Sequence, residues 1–276
     1  MDHAPTICVA CGAELRDVLL KRNPWIIFRC TNCGLGVLDP RPSKDELETL
    51  YEKEYFQSQY DTGVAPDSPQ FYRWLDLLEH RHRFFKSKKR IGTLLDIGCG
   101  NGYFLALCRK KGYEVKGIDV SKWAVQYATS ILKLNVRRGE ITDISFPEGT
   151  FDVITMFHSL EHTRNPSEAL SQIKTWLKPD GILVIEVPNY TGTDAQKEWN
   201  HWIGWQVPYH FFHFTPSSLN RLLANYGFKI TRYKDFHSET VKASLKKIPI
   251  VNLFARSIAK FFSGHSILVI AQLHSH

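Results

Sequence analysis

The sequence predicts an α/β fold, a doubly wound and mostly parallel seven-stranded sheet with a small N-terminal zinc ribbon. Three observations carry that expectation. From Thr93 onward, apolar strand-length runs alternate with helix-length segments, as in a parallel sheet built from crossovers. The first of these runs passes into a glycine-rich turn, Leu94–Gly102 (LLDIGCGNG), and then into a helix. Ahead of them stand two Cys-x-x-Cys pairs, Cys8 with Cys11 and Cys30 with Cys33, eighteen residues apart.

At 276 residues the chain is long enough for one α/β core and a small appendage. Its apolar content of 43% and charged content of 23% exclude a disordered or fibrous class. No apolar run reaches the length of a membrane-spanning helix. The first residues, MDHAPTICVACGAEL, lack the regions of a secretory leader. A cytoplasmic protein is therefore expected, with peripheral contact to the inner membrane face as an open alternative. The formal charge of +7 invites an anionic partner, although four thiolates around one zinc ion would remove two of those charges.

The spacing of the four cysteines fits a structural zinc ribbon over residues 1–41. Glycines follow each second cysteine (Gly12 and Gly34), where a turn can aim backbone N–H groups at thiolate sulfur. Two disulfides are the alternative, but nothing points to an oxidising compartment. With four cysteine ligands such a zinc has no open position for catalysis, and its role is structural or that of a platform for substrate or partner. Cys99 and Cys108 fall in the core segments and read as small buried side chains.

Residues 42–90 form a helical linker. Ser43 and Glu46 make a capping box, followed by Leu47, Leu50, Tyr51 and Tyr55 at helical spacing. A second helix over 70–88 carries Phe71, Trp74, Leu75, Leu78 and Phe85 on one face. Both helices are expected to cover the mouth of a cofactor site, where Tyr51 and Tyr55 either touch the cofactor or pack. The basic run His80–Arg90 reads as the solvated end of a helix.

The core, 91–276, then runs strand by strand. Strands are expected near 93–96, 114–118, 135–138, 152–156 and 182–187, with later ones at 228–233 and 266–272. Helices are expected over 103–111, 122–134, 165–177 and 219–226. Lys178 to Gly181 reads as a helix-ending turn, and Val241–Phe262 as a helical face broken at Pro249. That face packs on the core, or its apolar and basic residues meet a membrane surface.

Chemistry enters at the strand ends. Asp96 closes the first strand; Gly98, Gly100 and Gly102 let a ligand approach the backbone. The second strand ends on Asp119, placed to accept hydrogen bonds from two ribose hydroxyls. A nicotinamide site would need its third glycine at Tyr103. Here the pattern is D-x-G-x-G-x-G, with a carboxylate suited to an ammonium-bearing tail rather than a pyrophosphate. In Leu94–Gly102 and Gly117–Ser121 the chain resembles the class I S-adenosylmethionine (SAM) methyltransferases, whose Rossmann-like fold it is expected to share. The resemblance implies that Val120, Glu140, Ile141 and Phe157 complete the cofactor site, with adenine near Glu140 and Ile141.

Phe151–His162, Asn165-Pro166 and Leu177–Gly181 are similar to the ubiquinone-type O-methyltransferases and deoxysugar C-methyltransferases. This small-molecule branch implies a sugar, nucleotide-sugar or lipid-linked glycan precursor as acceptor. The chain is too short for the further C-terminal domain of the deoxysugar enzymes, which argues for oxygen over carbon as the methylated atom. Methyl transfer needs an aligned nucleophile and a base, and His158 and His162 lie just past the fourth strand. Residues 190–215 read as an aromatic substrate lid, with Trp199–Phe214 holding Trp205, Tyr209, His210 and His213. The resemblance assigns base or ligand roles to His210 and Tyr209. His162 is a second candidate base, and His158, Trp205 and His213 are substrate contacts. A structural turn histidine and a purely lipophilic cover are the rival readings. Two other functions stay open: an rRNA base methyltransferase with a zinc ribbon, and a non-catalytic binding module. The lid argues against nucleic acid, and the oligomeric state is open.

Overall fold

The alternation of apolar and amphipathic segments settles into two sheets in the computed structural model, which describes residues 6–50, 64–89 and 91–274. The ribbon contributes β1 (Leu15–Arg22), β2 (Trp25–Cys30) and β3 (Gly36–Asp39), all antiparallel. Helices α1 (Lys44–Leu50) and α2 (Pro69–Phe85) follow. Ser43 and Glu46 exchange both hydrogen bonds of the expected capping box, at 2.7 and 3.3 Å. Ser68 caps α2, whose Phe71, Leu75, Phe84 and Phe85 are buried. Tyr51 and Tyr55 lie outside the described residues.

The core starts with β4 (Thr93–Ile97), α3 (Tyr103–Lys110), β5 (Glu114–Asp119), α4 (Lys122–Ser130) and β6 (Asn135–Arg138). It returns through β7 (Phe151–Phe157), α5 (Pro166–Trp176) and β8 (Leu177–Pro188). After α6 (Thr193–Glu198) come the short β9 (Phe212–His213), α7 (Pro216–Asn225) and β10 (Phe228–His237). Helices α8 (Glu239–Leu245) and α9 (Ala255–Ala259) lead to β11 (Ser263–Leu273). The strand order is β10-β11-β8-β7-β4-β5-β6. Strands β4 to β8 are parallel, while β10 and β11 add an antiparallel edge. Leu94, Leu95, Val153, Ile154, Leu183, Val184 and Ile185 are fully buried, as strands covered on both faces require. The chain leaves β4 toward β5 and β6, then returns to β7 on the other side of β4. That reversal opens a crevice beyond the carboxyl ends of the strands.

Several element bounds differ from expectation. Lys178 to Gly181 belongs to β8 rather than to a turn, and α4 stops at Ser130. Beyond it, Leu132 and Leu134 are buried as loop residues, packed under the glycine turn. Val241–Phe262 is no single packed face. Pro249 separates α8 from α9, and Phe254 and Phe261 stand exposed. Among the described residues no helix is long and apolar enough to cross a membrane.

The ribbon is joined to the lid by sheet pairing. Strand β9 adds to β3, with Gly36 opposite His213 and Val37 opposite Phe212. A side chain at position 36 would bring a Cβ within 3.0 Å of the His213 Cβ, so glycine alone permits this approach. Asn225 Nδ2 donates to the Ala10 carbonyl at 2.9 Å, and the Tyr190 hydroxyl donates to that of Gly34. Ribbon residues Leu35 and Val37 share one apolar cluster with Phe211, Phe212 and Ile267. Phe212→Ala is therefore expected to cost about 3–5 kcal/mol, the loss for an emptied buried aromatic site, read as a lower urea midpoint.

Candidate active site

A cavity of about 990 Å³ occupies the crevice, at the upper end of the roughly 300–1,000 Å³ usual for small-molecule sites. Its floor is made by strand ends: Ile97 on β4 and Gly98 just after it, Ile118 and Asp119 on β5, His158 past β7, and Pro188 on β8. The turn after β4 is tight because Gly98, Gly100 and Gly102 hold φ of 74°, 53° and 81°. A Cβ on Gly98 would sit 2.5 Å from the Ser159 Oγ, and one on Gly102 2.6 Å from a Leu134 methyl. Of the three, Gly98 faces the cavity, and the other two shape the turn.

One wall suits a nucleoside. Asp119 accepts hydrogen bonds from Gly100 N at 2.7 Å and Ser121 N at 2.9 Å. Burial raises its pKa, and the two N–H donors oppose that rise. A carboxylate has about four acceptor sites, so two backbone donors leave capacity for a ligand diol. Val120, Glu140 and Ile141 line the same wall. Asp96 and Phe157 do not. Asp96 sits beneath the turn, accepting from Thr155 Oγ1 at 2.6 Å, and burial pushes it up to about 7. Phe157 packs edge-on against Phe104 at 4.8 Å, under the Arg81 guanidinium. The next residue, His158, has a positive φ of 53° that reorients the chain, and its ring reaches the cavity instead.

The opposite wall carries histidines in two electrostatic settings. His158 lies between carboxylates, with Nε2 3.3 Å from Glu186 and Nδ1 3.4 Å from Glu161. Burial disfavours its charged form, but Glu186 and Glu161 outweigh this and hold it up to about 9. Glu186, which also meets Arg81 at 3.0 Å, is held down to about 2 against the effect of burial. His162 and His210 are instead pushed below the ordinary histidine range by burial. Each directs Nδ1 at a carbonyl, His162 at Tyr209 (3.0 Å) and His210 at Gly204 (2.9 Å). A carbonyl only accepts, so Nδ1 carries the proton and Nε2 the lone pair in the neutral rings. The two rings meet edge to face at 4.5 Å. One donor atom from each of Glu161, His162 and His210 falls within 4.8 Å of the others, a spacing that would also suit a cation.

The lid is a cover whose inner face touches the cavity through Trp202, Ile203, Gly204, Gln206, His210 and Phe211. Trp205 and His213 lie behind that face. Trp205 Nε1 donates to the Trp199 carbonyl at 2.6 Å and its ring packs against His213, itself buried in β9. Tyr209 contributes its carbonyl to His162, while its hydroxyl donates to Leu50 O at 3.4 Å. Helix α2 packs on α3 away from the mouth; Lys44 and Leu47 of α1 line it instead. Trp123, Arg138, Asn165, Glu168 and His265 also line the cavity and are additions to the sequence-based set. Trp123 carried a usable signal, an aromatic residue four positions past Asp119 at the start of a helix. Asn165 read only as the helix cap that it also is, accepting from Glu168 N at 3.3 Å.

The four ribbon cysteines converge away from the cavity. Cys8 and Cys33 sulfurs are 3.5 Å apart, Cys11 and Cys30 sulfurs 3.4 Å, and all four lie within 4.8 Å of one another. A disulfide needs about 2.0 Å, whereas thiolates around one zinc at about 2.3 Å stand roughly 3.8 Å apart. The sulfur of Cys33 and the backbone N–H groups of Ala10 and Cys11 hold the Cys8 thiol down to about 5, against burial. Cys99 and Cys108 are buried, which raises both thiols well above their ordinary range.

Comparison with known proteins bears on the family and the fold. A family profile described as "Methyltransferase domain" matches residues 70–233. The chain is 32% identical over 127 residues to the ubiquinone biosynthesis O-methyltransferase of Actinobacillus pleuropneumoniae, covering 42% of this chain and 53% of that one. A SAM-dependent methyltransferase structure from Archaeoglobus fulgidus superposes with a TM-score of 0.57 at 24% identity, covering 71% of this chain and 93% of the other. The cyclase SpnF superposes with a TM-score of 0.58 at 18% identity, covering 86% and 98%. The chain spans about half or less of the length of the curated relatives it matches.

The His158 environment makes a direct prediction. In an NMR titration its imidazole signals should move with a midpoint near 9, and Glu186→Gln should bring that midpoint down toward the ordinary histidine range. Because the folded value is raised, its stabilising share is complete below the unfolded value of about 6.5. That share is lost as pH rises through about 9, so E186Q should flatten the alkaline fall in thermal midpoint.

Proposed function

The chain belongs to the methyltransferase-domain family, and from that premise we propose that it transfers a methyl group from SAM to an oxygen of a small metabolite, a sugar or glycan precursor. The observation that carries this reading is one cavity with a diol-accepting carboxylate on one wall and neutral histidines on the other. Its volume admits a nucleoside cofactor and a small acceptor together. Asp119 would take the ribose hydroxyls, with Val120, Glu140 and Ile141 around adenine. SAM supplies a methyl carbon already activated by its sulfonium.

The remaining work is alignment, proton removal and exclusion of water. His158 is charged at neutral pH with both N–H groups turned to Glu186 and Glu161, so it cannot take the acceptor's proton. His162 and His210 keep a lone pair on Nε2 and can accept that proton. The rings of Trp202 and Phe211 exclude water from the same space. We also propose that the four ribbon thiolates hold one zinc ion. Its four protein ligands leave no open position, so its work is to hold the ribbon to the lid.

The charge of +7 favours one second reading, an RNA base methyltransferase. The buried aromatic lid opposes it, since a base delivered on a polymer needs an open groove. Labelled SAM incubated with either a metabolite extract or total RNA separates the two by which pool gains label.

Calorimetry should show SAM binding that Asp119→Ala weakens at least about tenfold, the value of a charged hydrogen-bonding group. His210→Ala or His162→Ala should cut kcat by about 10²–10⁴ with little change in KM. If neither slows turnover tenfold, positioning alone explains the rate. Elemental analysis should find one zinc per chain, and Cys30→Ser should lose it together with thermal stability.

A further inference from the structure

The segment from α8 to β11 is built unlike the rest of the surface. From Thr240 to Gly264 the sequence holds Lys242, Lys246, Lys247, Arg256 and Lys260 and no acidic residue. Lys246, Lys247, Arg256 and Lys260 are exposed, and their side chains form no ion pair among the described residues. Among them stand large apolar side chains that water should not wet. Phe261 is 88% exposed, Leu253 79%, Ile250 77% and Phe254 59%, with Ile248 and Phe262 more than two-fifths exposed. Scattered single exposures are ordinary, but six within fifteen residues form a patch.

The patch is held firmly from beneath. Val241, Ala255 and Ala259 are buried, and Asp194 of α6 accepts from the backbone of Glu239 and Thr240 at 3.2 Å. The same carboxylate meets His265 Nε2 at 3.2 Å, and His265 Nδ1 accepts from Trp202 Nε1 at 3.1 Å. His265 and Trp202 both line the cavity. One buried carboxylate therefore ties the start of α8, just ahead of the patch, to the cavity wall.

We propose that this face docks on an anionic lipid surface. Apolar tips enter the boundary between headgroups and acyl chains while the flanking cations meet lipid phosphates. The chemistry selects this partner over two others. Ile248, Ile250 and Leu253 have no π-face to stack on bases, so a nucleic acid would leave them wet. A second copy of the chain would set like charges against one another. The proposal stands apart from the methyl-transfer reading, and its test needs no turnover.

The test is co-sedimentation of the full chain with vesicles of phosphatidylcholine alone or mixed with phosphatidylglycerol. Binding should need phosphatidylglycerol and weaken as salt rises. Leu253→Ser with Phe261→Ser, and separately Lys246→Glu with Lys247→Glu, should each reduce binding by more than about tenfold. These side chains are exposed, so thermal midpoints and circular dichroism should match the parent chain. Equal binding to both vesicles, no binding to either, or variants that bind like the parent would overturn the proposal. So would retention of RNA that the same variants abolish, or a dimer that Phe261→Ser dissolves.

Discussion

Parallel strands that stop at a common edge must place their following turns side by side, and everything in this site depends on that constraint. β4, β5, β7 and β8 end together, so Gly98, Asp119, His158 and Pro188 meet although the chain separates them widely. The return of the chain to the far side of β4 keeps any helix from covering the gap. Ser159, arriving from β7, fills the space beside Gly98 and leaves no room there for a side chain. The turn after β4 and the segment that follows β7 are thus fitted closely to each other.

Within that frame the histidines are divided by their neighbours. His158 has two carboxylates beside it and is charged; for His162 burial outweighs the pull of Glu161, for His210 burial and the neighbouring histidines outweigh its carbonyl, and both are neutral. One residue type is thereby held in two protonation states on a single wall. The division holds only while the lid keeps its place, because Gly204 and Tyr209 supply the carbonyls that set both neutral rings. Lid position in turn rests on the pairing of β9 with β3 and on the cysteine cluster behind it.

Much of this was legible in the sequence where local pattern decides the outcome. The four cysteines, the loop glycines and Asp119 follow from spacing and strand ends, and their geometry is as such patterns require. The burial of Asp96 was not legible: a strand-end carboxylate gives no sign that Thr155 holds it beneath the turn. Phe157 and His158 are neighbours whose exposure depends on one backbone torsion that composition does not encode. The lid was legible as aromatic and not as layered, since His213 is covered by pairing with Gly36, 177 positions earlier, and Trp205 packs on His213 in turn. The same holds for Phe254 and Phe261, where helical spacing suggests packing but both fall outside the short α9 and stand exposed.

The joint between ribbon and lid also bears on how the molecule assembles. Thr215 Oγ1 donates to the Cys33 carbonyl across 182 positions of sequence, at 3.3 Å. Contacts of such separation reward the chain only after the intervening loop has been closed, so they form late and slowly. The ribbon is made first during synthesis yet cannot complete its four-stranded sheet until β9 has emerged. Until then the edge of β3 is an unpaired template, and the parallel core must fold beside it without pairing wrongly.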